Sequence, residues 1–212
     1  MIRKIKDQVK QFGEKAVLQK FLRHLVRPFY KQYSQIVLAM PAHEHCDINE
    51  CVKRMSSTEL NYWSERKLIR EDDLQRFSKF LNESCNGFYI EENGELAAWG
   101  FVQTKGQYQY GRYFMEMPLK VHILKNLFVK SEYRGKSYGK LINNARVNDI
   151  PADCIPVSLV IPENRYALRN LKQIGFEEFL VVKHVTWFSK FERRKITITQ
   201  PGEIATILLG GF

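Results

Sequence analysis

"LFVKSEYRGKSYGKL", residues 127–141, carries three overlapping patterns, and at most one of them can be true. Gly135-Lys136-Ser137 is the tail of a nucleotide-binding P-loop. Gly135, Ser137 and Gly139 fit the G-x-S-x-G elbow that presents a nucleophilic serine. Arg134 to Gly139 is one residue away from R-x-x-G-x-G, a turn that holds an anion at a helix start. A P-loop needs its first glycine at position 130, where Lys130 stands. An elbow puts its serine directly after a strand, whereas Ser137 lies eight residues past Val129 and follows no glycine-rich segment. Asp149, Asp153 and His184 do follow in the chain order of an α/β-hydrolase triad, so a serine hydrolase using Ser137 stays as a third reading.

The anion-turn reading has a simple physical basis. The first turn of a helix leaves four N–H groups without internal partners, and its dipole end is positive. A pyrophosphate can satisfy those donors if side chains do not hold it off, which gives the glycines a purpose. Arg134 and Lys136 add charge. The spacing predicts a strand ending at Val129, a short linker, and a helix beginning between Gly135 and Lys140.

Outward from this stretch the chain reads as mixed α/β. Asn93-Gly94 between two β-rich runs, "GFYIEE" and "ELAAWGFVQ", predicts a tight hairpin. "YSQIVLAM" (33–40), "KVHILKNLFV" (120–129) and "CIPVSLVIP" read as strands, and "YGRYFMEM" as a further strand or an irregular edge piece. "REDDLQRFSKFLNESC" has acids in its first turn and reads as the clearest helix in a polar, helical region over 47–84. "GKLINNARVNDI" and "ENRYALRNLKQIG" are further helices, the second stopped by Gly175. "FEEFLVVKHVTWFSKF" ends the pattern as one long strand or two. No internal repeat interrupts this order.

Two separated blocks make the pattern more specific. "V-x-x-x-Y-R-G" with Gly139 and Leu141, then a strand, then Asn164, Ala167, Gly175 and Phe176, resembles the GNAT superfamily of acetyl-CoA-dependent N-acyltransferases. The resemblance covers about 86–185 and extends to 34, leaving the N-terminal segment aside. It implies a GNAT-like fold with acetyl-CoA as co-substrate. Leu127, Phe128 and Val129 would pair with the pantetheine chain. Arg134, Gly135, Lys136, Ser137, Tyr138, Gly139 and Lys140 would hold the pyrophosphate, and Asn164 would bond the CoA chain. The amine of a small molecule, an amino sugar or nucleotide sugar, would attack the thioester directly in a ternary complex. His122 and Lys125, on the strand entering the loop, are the candidate bases. Two positions depart from the family pattern. Ser137 replaces a glycine, which is tolerable while its backbone angles stay negative. Leu171 stands where many members carry a proton-donating tyrosine. Those departures keep a non-catalytic CoA-binding or interaction module as the alternative.

Composition sets the rest. The 212 residues are 44% hydrophobic, enough for one sizeable domain with an appendage. We expect a basic amphipathic extension over 1–32, an acetyltransferase domain over 33–200 and a C-terminal tail over 201–212. Ile2, Ile5, Val9, Phe12 and Ala16, then Leu18, Phe21, Leu22, Leu25, Val26 and Phe29, recur at helical spacing and predict two helical pieces ending near Pro28. Residues 1–33 hold nine basic side chains against Asp7 and Glu14, a net +7 of the chain's +10. Charge so confined argues against nucleic acid as a partner of the domain. The expected role is packing on the core or on a second copy, as in a homodimer; contact with an anionic membrane surface is the other reading. His43, His45, Cys46 and Cys51 fall within nine residues but match no zinc spacing, so no metal is expected. Glu91, Glu92 and Glu116 read as ordinary surface charges. The chain shows no 20-residue apolar run, no secretory leader and no C-x-x-C, which predicts a cytoplasmic protein with reduced thiols.

Overall fold

The computed structural model describes residues 29–43, 49–188 and 190–212. The chain forms two units: residues 36–181 with 198–212, and residues 1–35 with 182–197. The strands are β1 (Tyr30–Ala39), β2 (Val52–Met55), β3 (Cys85–Glu92), β4 (Glu95–Gln103), β5 (Gln107–Tyr110), β6 (Tyr113–Glu116), β7 (Val121–Val129), β8 (Ile155–Val160), β9 (Glu177–Trp187) and β10 (Phe191–Ile198). The helices are α1 (Ser57–Glu65), α2 (Glu71–Asn82), α3 (Tyr138–Asn148), α4 (Arg165–Gln173) and α5 (Glu203–Leu209).

The larger unit is a mixed sheet in the order β9-β1-β8-β7-β4-β3-β2. β3 and β4 pair antiparallel around Asn93-Gly94, both at positive φ (54° and 78°), as a two-residue hairpin requires. β4 pairs antiparallel with β7, and β7 runs parallel to β8. Alternation divides the core between the two faces of the sheet. Trp99 and Phe101 point to one side with Tyr89 and pack under Trp63 of α1 and Phe77 of α2. Ala98, Val102 and Leu124 point to the other side, against Ile142 and Ala145 of α3 and Leu171 of α4. Both helices of the first pair have sequence-encoded starts. Ser56 caps α1 in a capping box with Glu59, and α2 opens on Glu71, Asp72 and Asp73.

The structure corrects one sequence expectation and makes others more definite. The region over 47–84 is not wholly helical, because Val52–Met55 adds an edge strand to β3. "YGRYFMEM" contributes to a separate two-stranded hairpin, β5-β6, with Gly111 in the turn at φ 65°. The end of the chain forms α5, and Gly211 then accepts a hydrogen bond at its carbonyl from the Glu116 N–H (2.9 Å). "FEEFLVVKHVTWFSKF" supplies one strand and the start of a second. The predicted N-terminal helical pieces, like His45 and Cys46, lie outside the described residues. Among the described residues His43 bonds the Ile150 carbonyl (3.1 Å), and no group of potential ligands gathers around a metal site.

Candidate active site

β7 pairs with β8 only through Val121↔Ile155, His122↔Pro156 and Ile123↔Val157. Beyond that point β8 stays with β1, pairing Ser158, Leu159 and Val160 with Leu38, Val37 and Ile36. β7 stays with β4, pairing Phe128 with Trp99 and Val129 with Ala98. The sheet therefore opens into a wedge, with the buried Ser158 hydroxyl donating to the Leu124 carbonyl (3.4 Å) at its vertex. The Lys130 N–H donates to Ala97 on β4 (3.0 Å). Antiparallel alternation then turns the backbone groups of Leu127 and Val129 away from β4, into the wedge. Those are the groups a ligand lying as an extra strand would need.

A buried arginine braces the strand that borders the wedge. Trp99 opposes Phe128 but Phe101 opposes Lys125, so β7 bulges, with Asn126 at φ 52°. Arg146 of α3 reaches this bulge and donates to the carbonyls of Phe101 (3.2 Å) and Lys125 (3.0 Å), and to the Asn143 side chain. It is 2% exposed, and burial pulls its pKa down to about 9. Gly100 leaves room for it, since a Cβ there would sit 3.2 Å from the guanidinium carbon.

Val129 leads through Lys130 and a short 3₁₀ turn (Ser131–Tyr133) into Gly135, at φ 88°, and Ser137, which caps α3. The first helical bonds come from the Lys140 and Leu141 N–H groups to the Ser137 carbonyl (2.9 and 3.1 Å). The N–H groups of Tyr138 and Gly139 thus have no partner within the helix. Ser137 does not keep negative backbone angles: it is left-handed, φ 61° and ψ 13°. The turn keeps its shape and the serine bears the strain. Gly139 serves packing as well as approach, because a Cβ would stand 3.0 Å from Asn170 Nδ2.

The tip of the β3-β4 hairpin latches this loop from outside. Glu92 accepts from Lys136 Nζ (2.6 Å) and from the Tyr138 hydroxyl (2.6 Å). Glu95 accepts from Lys130 Nζ (3.4 Å) and the Tyr133 hydroxyl (3.5 Å). The Lys136 and Tyr138 hydrogen bonds hold Glu92 below the usual carboxylate range, and Glu92 in turn pushes the Tyr138 phenol up to about 12. Glu92 is therefore not an idle surface charge, and Lys136 is not free. Arg134 and Lys140 are exposed beside the turn.

The candidate bases fall on opposite faces of β7. Lys125 lies on the α1/α2 side, its Nζ 4.0 Å from the Phe80 ring and donating to Gln103 Oε1 (3.0 Å). Tyr108 of β5 lies on the same side (6.0 Å). Desolvation lowers the Lys125 pKa. Phe128 stacks on Trp99 (4.6 Å) on that face too, while the Leu127 and Val129 side chains pack with the opposite cluster. His122 shares the α3 face with Leu124, near Asp149 and Asp153, and burial lowers its pKa. Asn164 caps α4, its Oδ1 accepting from the Ala167 N–H (3.2 Å). Leu171 is buried in the core and offers no proton. Asp149 cannot serve Ser137 as a triad acid: the two cap opposite ends of one 11-residue helix, roughly 18 Å apart at about 1.5 Å per residue. Asp149 is instead held by Asn86 (2.6 Å) and Arg54 (3.2 Å).

A sheet split beside a strand-loop-helix anion turn defines the architecture of an acyl-CoA-dependent transferase. Residues 51–176, more than half the chain, match the model of the acetyltransferase (GNAT) family, and the chain belongs to that family. A GNAT-family acetyltransferase structure from Novosphingobium aromaticivorans is similar at TM-score 0.54 and 13% identity, over 74% of this chain and 64% of that one. A protein of unknown function from Staphylococcus epidermidis is similar at TM-score 0.50 and 12% identity, over 81% of this chain and 66% of that one. The chain thus spans less than two thirds of the length of both. An aminoglycoside N-acetyltransferase bound to CoA covers 60% of this chain and 91% of its own, at 21% identity and TM-score 0.45, a likeness without weight for substrate or mechanism. No curated protein matches the chain. Acetyl-CoA is the co-substrate of the family. The open groups of Leu127 and Val129 and the first-turn N–H groups of α3 fit its pantetheine and pyrophosphate.

Proposed function

We propose that this chain transfers an acetyl group from acetyl-CoA to the amine of a small molecule, with amino sugars the class to screen first. The observation that carries this is the wedge: a strand with free backbone groups leads directly into a turn with free N–H donors.

The donor supplies an activated acetyl group, whose C–S bond is exchanged for a C–N bond to the amine. Val129 and Leu127 orient the pantetheine, and their N–H groups are the available donors for charge developing on the thioester oxygen. Tyr138 and Gly139 hold the pyrophosphate through their N–H groups, with Arg134 as counter-charge. Lys125 takes the proton that the attacking amine loses. Its support is its half-buried position on the α1/α2 face and a pKa lowered by desolvation, so that the neutral amine is reached at lower pH than for a free lysine. Leu171 leaves the departing sulfur to be protonated from solvent.

Calorimetric titration of acetyl-CoA, followed by an assay of thiol release across amines, tests the reading. Gly139→Glu should weaken donor binding at least about tenfold, since it sets a carboxylate where the pyrophosphate would lie. Lys125→Met should spare donor binding and remove the rise of rate with pH that follows loss of the Lys125 proton. Donor binding without thiol release from any amine would favour a second reading, a binding module without turnover, to which the buried Leu171 also points. No binding of acetyl-CoA at high micromolar concentration would end the proposal.

A further inference from the structure

The chain's positive charge is not shared between its two units. Residues 1–35 and 182–197 hold fourteen lysines and arginines against Asp7, Glu14 and Glu192, a net +11. The remainder is therefore at −1, given +10 for the whole. Within the smaller unit the strands run β10-β9-β1. Glu192 of β10 meets His184 of β9 (3.3 Å), on the face where Val182 and Thr186 are buried. Alternation then puts Phe191, Arg193 and Lys195 on the opposite face, with Lys183 and Trp187 of β9. Tyr30 of β1 joins them through its ring contact with Trp187 (6.2 Å). Among the described residues of the smaller unit that face carries no carboxylate.

Its aromatic groups gather at one end. The Phe188 N–H donates to the Phe29 carbonyl (2.8 Å), their rings lie edge to face at 5.9 Å, and Lys190 closes the turn back to Trp187 (3.0 Å). Phe29, Tyr30, Trp187, Phe188 and Phe191 are all exposed, Phe188 by 61% and Phe191 by 68%. Lys183, Arg193 and Lys195 stand behind them on the same face, and Lys31 and Arg194 lie on the other. Five exposed rings at a tip, with cations set back from it, match an interface whose depth is apolar and whose surface is anionic. The sequence feeding this tip, residues 1–28, is itself basic with apolar residues at helical spacing.

We propose that the smaller unit docks on an anionic lipid bilayer, its aromatic tip entering the headgroup region and its cations pairing with lipid phosphates. This stands apart from the acetyl-transfer reading. Trp63 and Trp99 are 1% and 7% exposed while Trp187 is exposed, so tryptophan emission already reports on the tip. The full chain should sediment with vesicles of phosphatidylglycerol and phosphatidylcholine, with a blue shift of emission, and not with phosphatidylcholine alone. Trp187→Phe should abolish the blue shift and preserve binding. Neutralising Lys183, Arg193 and Lys195 with glutamine should weaken vesicle binding about a hundredfold, with the unfolding transition unchanged. Equal binding by that variant, or no sedimentation with anionic vesicles, would overturn the proposal. So would tighter binding to a single-stranded oligonucleotide than to the vesicles, or a dimer in sedimentation velocity that buries Trp187.

Discussion

Ser137 shows how one residue can keep a turn and carry its cost. A left-handed non-glycine residue is strained by about 1–2 kcal/mol, and among the described residues the Ser137 side chain makes no cap hydrogen bond to offset it. Ser137→Gly should raise stability by about 1 kcal/mol, less whatever entropy the added glycine costs, and a denaturant midpoint no higher than the parent's would refute this. His122 makes a second residue-scale prediction. It is half-buried, its Nδ1 has no hydrogen-bond partner among the described residues, and burial lowers its pKa below the usual 6.5. The unfolded chain therefore binds a proton more readily than the folded one. The stability held above the unfolded value should be lost as pH falls from about 6.5 through the lowered folded value. His122→Gln should flatten that acid limb in urea titrations; an unchanged slope would assign it to another group.

At the scale of elements, the β3-β4 hairpin and the loop before α3 act together through Glu92 and Glu95. Glu92 is both the anchor of the loop and a carboxylate beside the turn proposed to hold the pyrophosphate. Glu92→Gln keeps an acceptor for Tyr138 and releases Lys136, so acetyl-CoA should bind roughly threefold tighter, while stability changes little because the pair is solvent-screened. Looser donor binding would mean that the latch matters more than the charge. The hairpin, the strand before the loop and the two helices after it were legible in the sequence, because Asn93-Gly94, Gly135, Gly139 and Gly175 mark their ends locally. Glu92, Arg146 and the Gln103–Lys125 contact were not legible. Each works through a partner more than 20 residues away, and no spacing along the chain announces such a pair. The strain at Ser137 was hidden differently. A serine gives no sign of positive φ, and the matching glycine pattern pointed to it only by its absence.

For the whole molecule, the last residues bind elements distant in sequence. α5 ends at Gly210 and Gly211, the latter against Met115, which is fully buried, and Phe212 meets Tyr110 edge to face (5.8 Å). A Cβ on Gly211 would stand 2.4 Å from the Glu116 carbonyl, an approach that backbone cannot accept without moving. Gly211→Ala should lower stability by about 2 kcal/mol and loosen the β5-β6 hairpin, read as faster amide exchange over residues 107–116. Because Tyr108 of that hairpin lies over Lys125, the same variant should also disturb acceptor binding more than donor binding.

The wedge between β7 and β8 has a consequence for handling as well as for chemistry. Two strand edges lie unzipped inside one sheet, and unpaired edges are where foreign strands add and fibrils begin. Whatever occupies the wedge therefore acts as a plug against self-association, so the protein should concentrate to higher levels without precipitating when its cleft is filled.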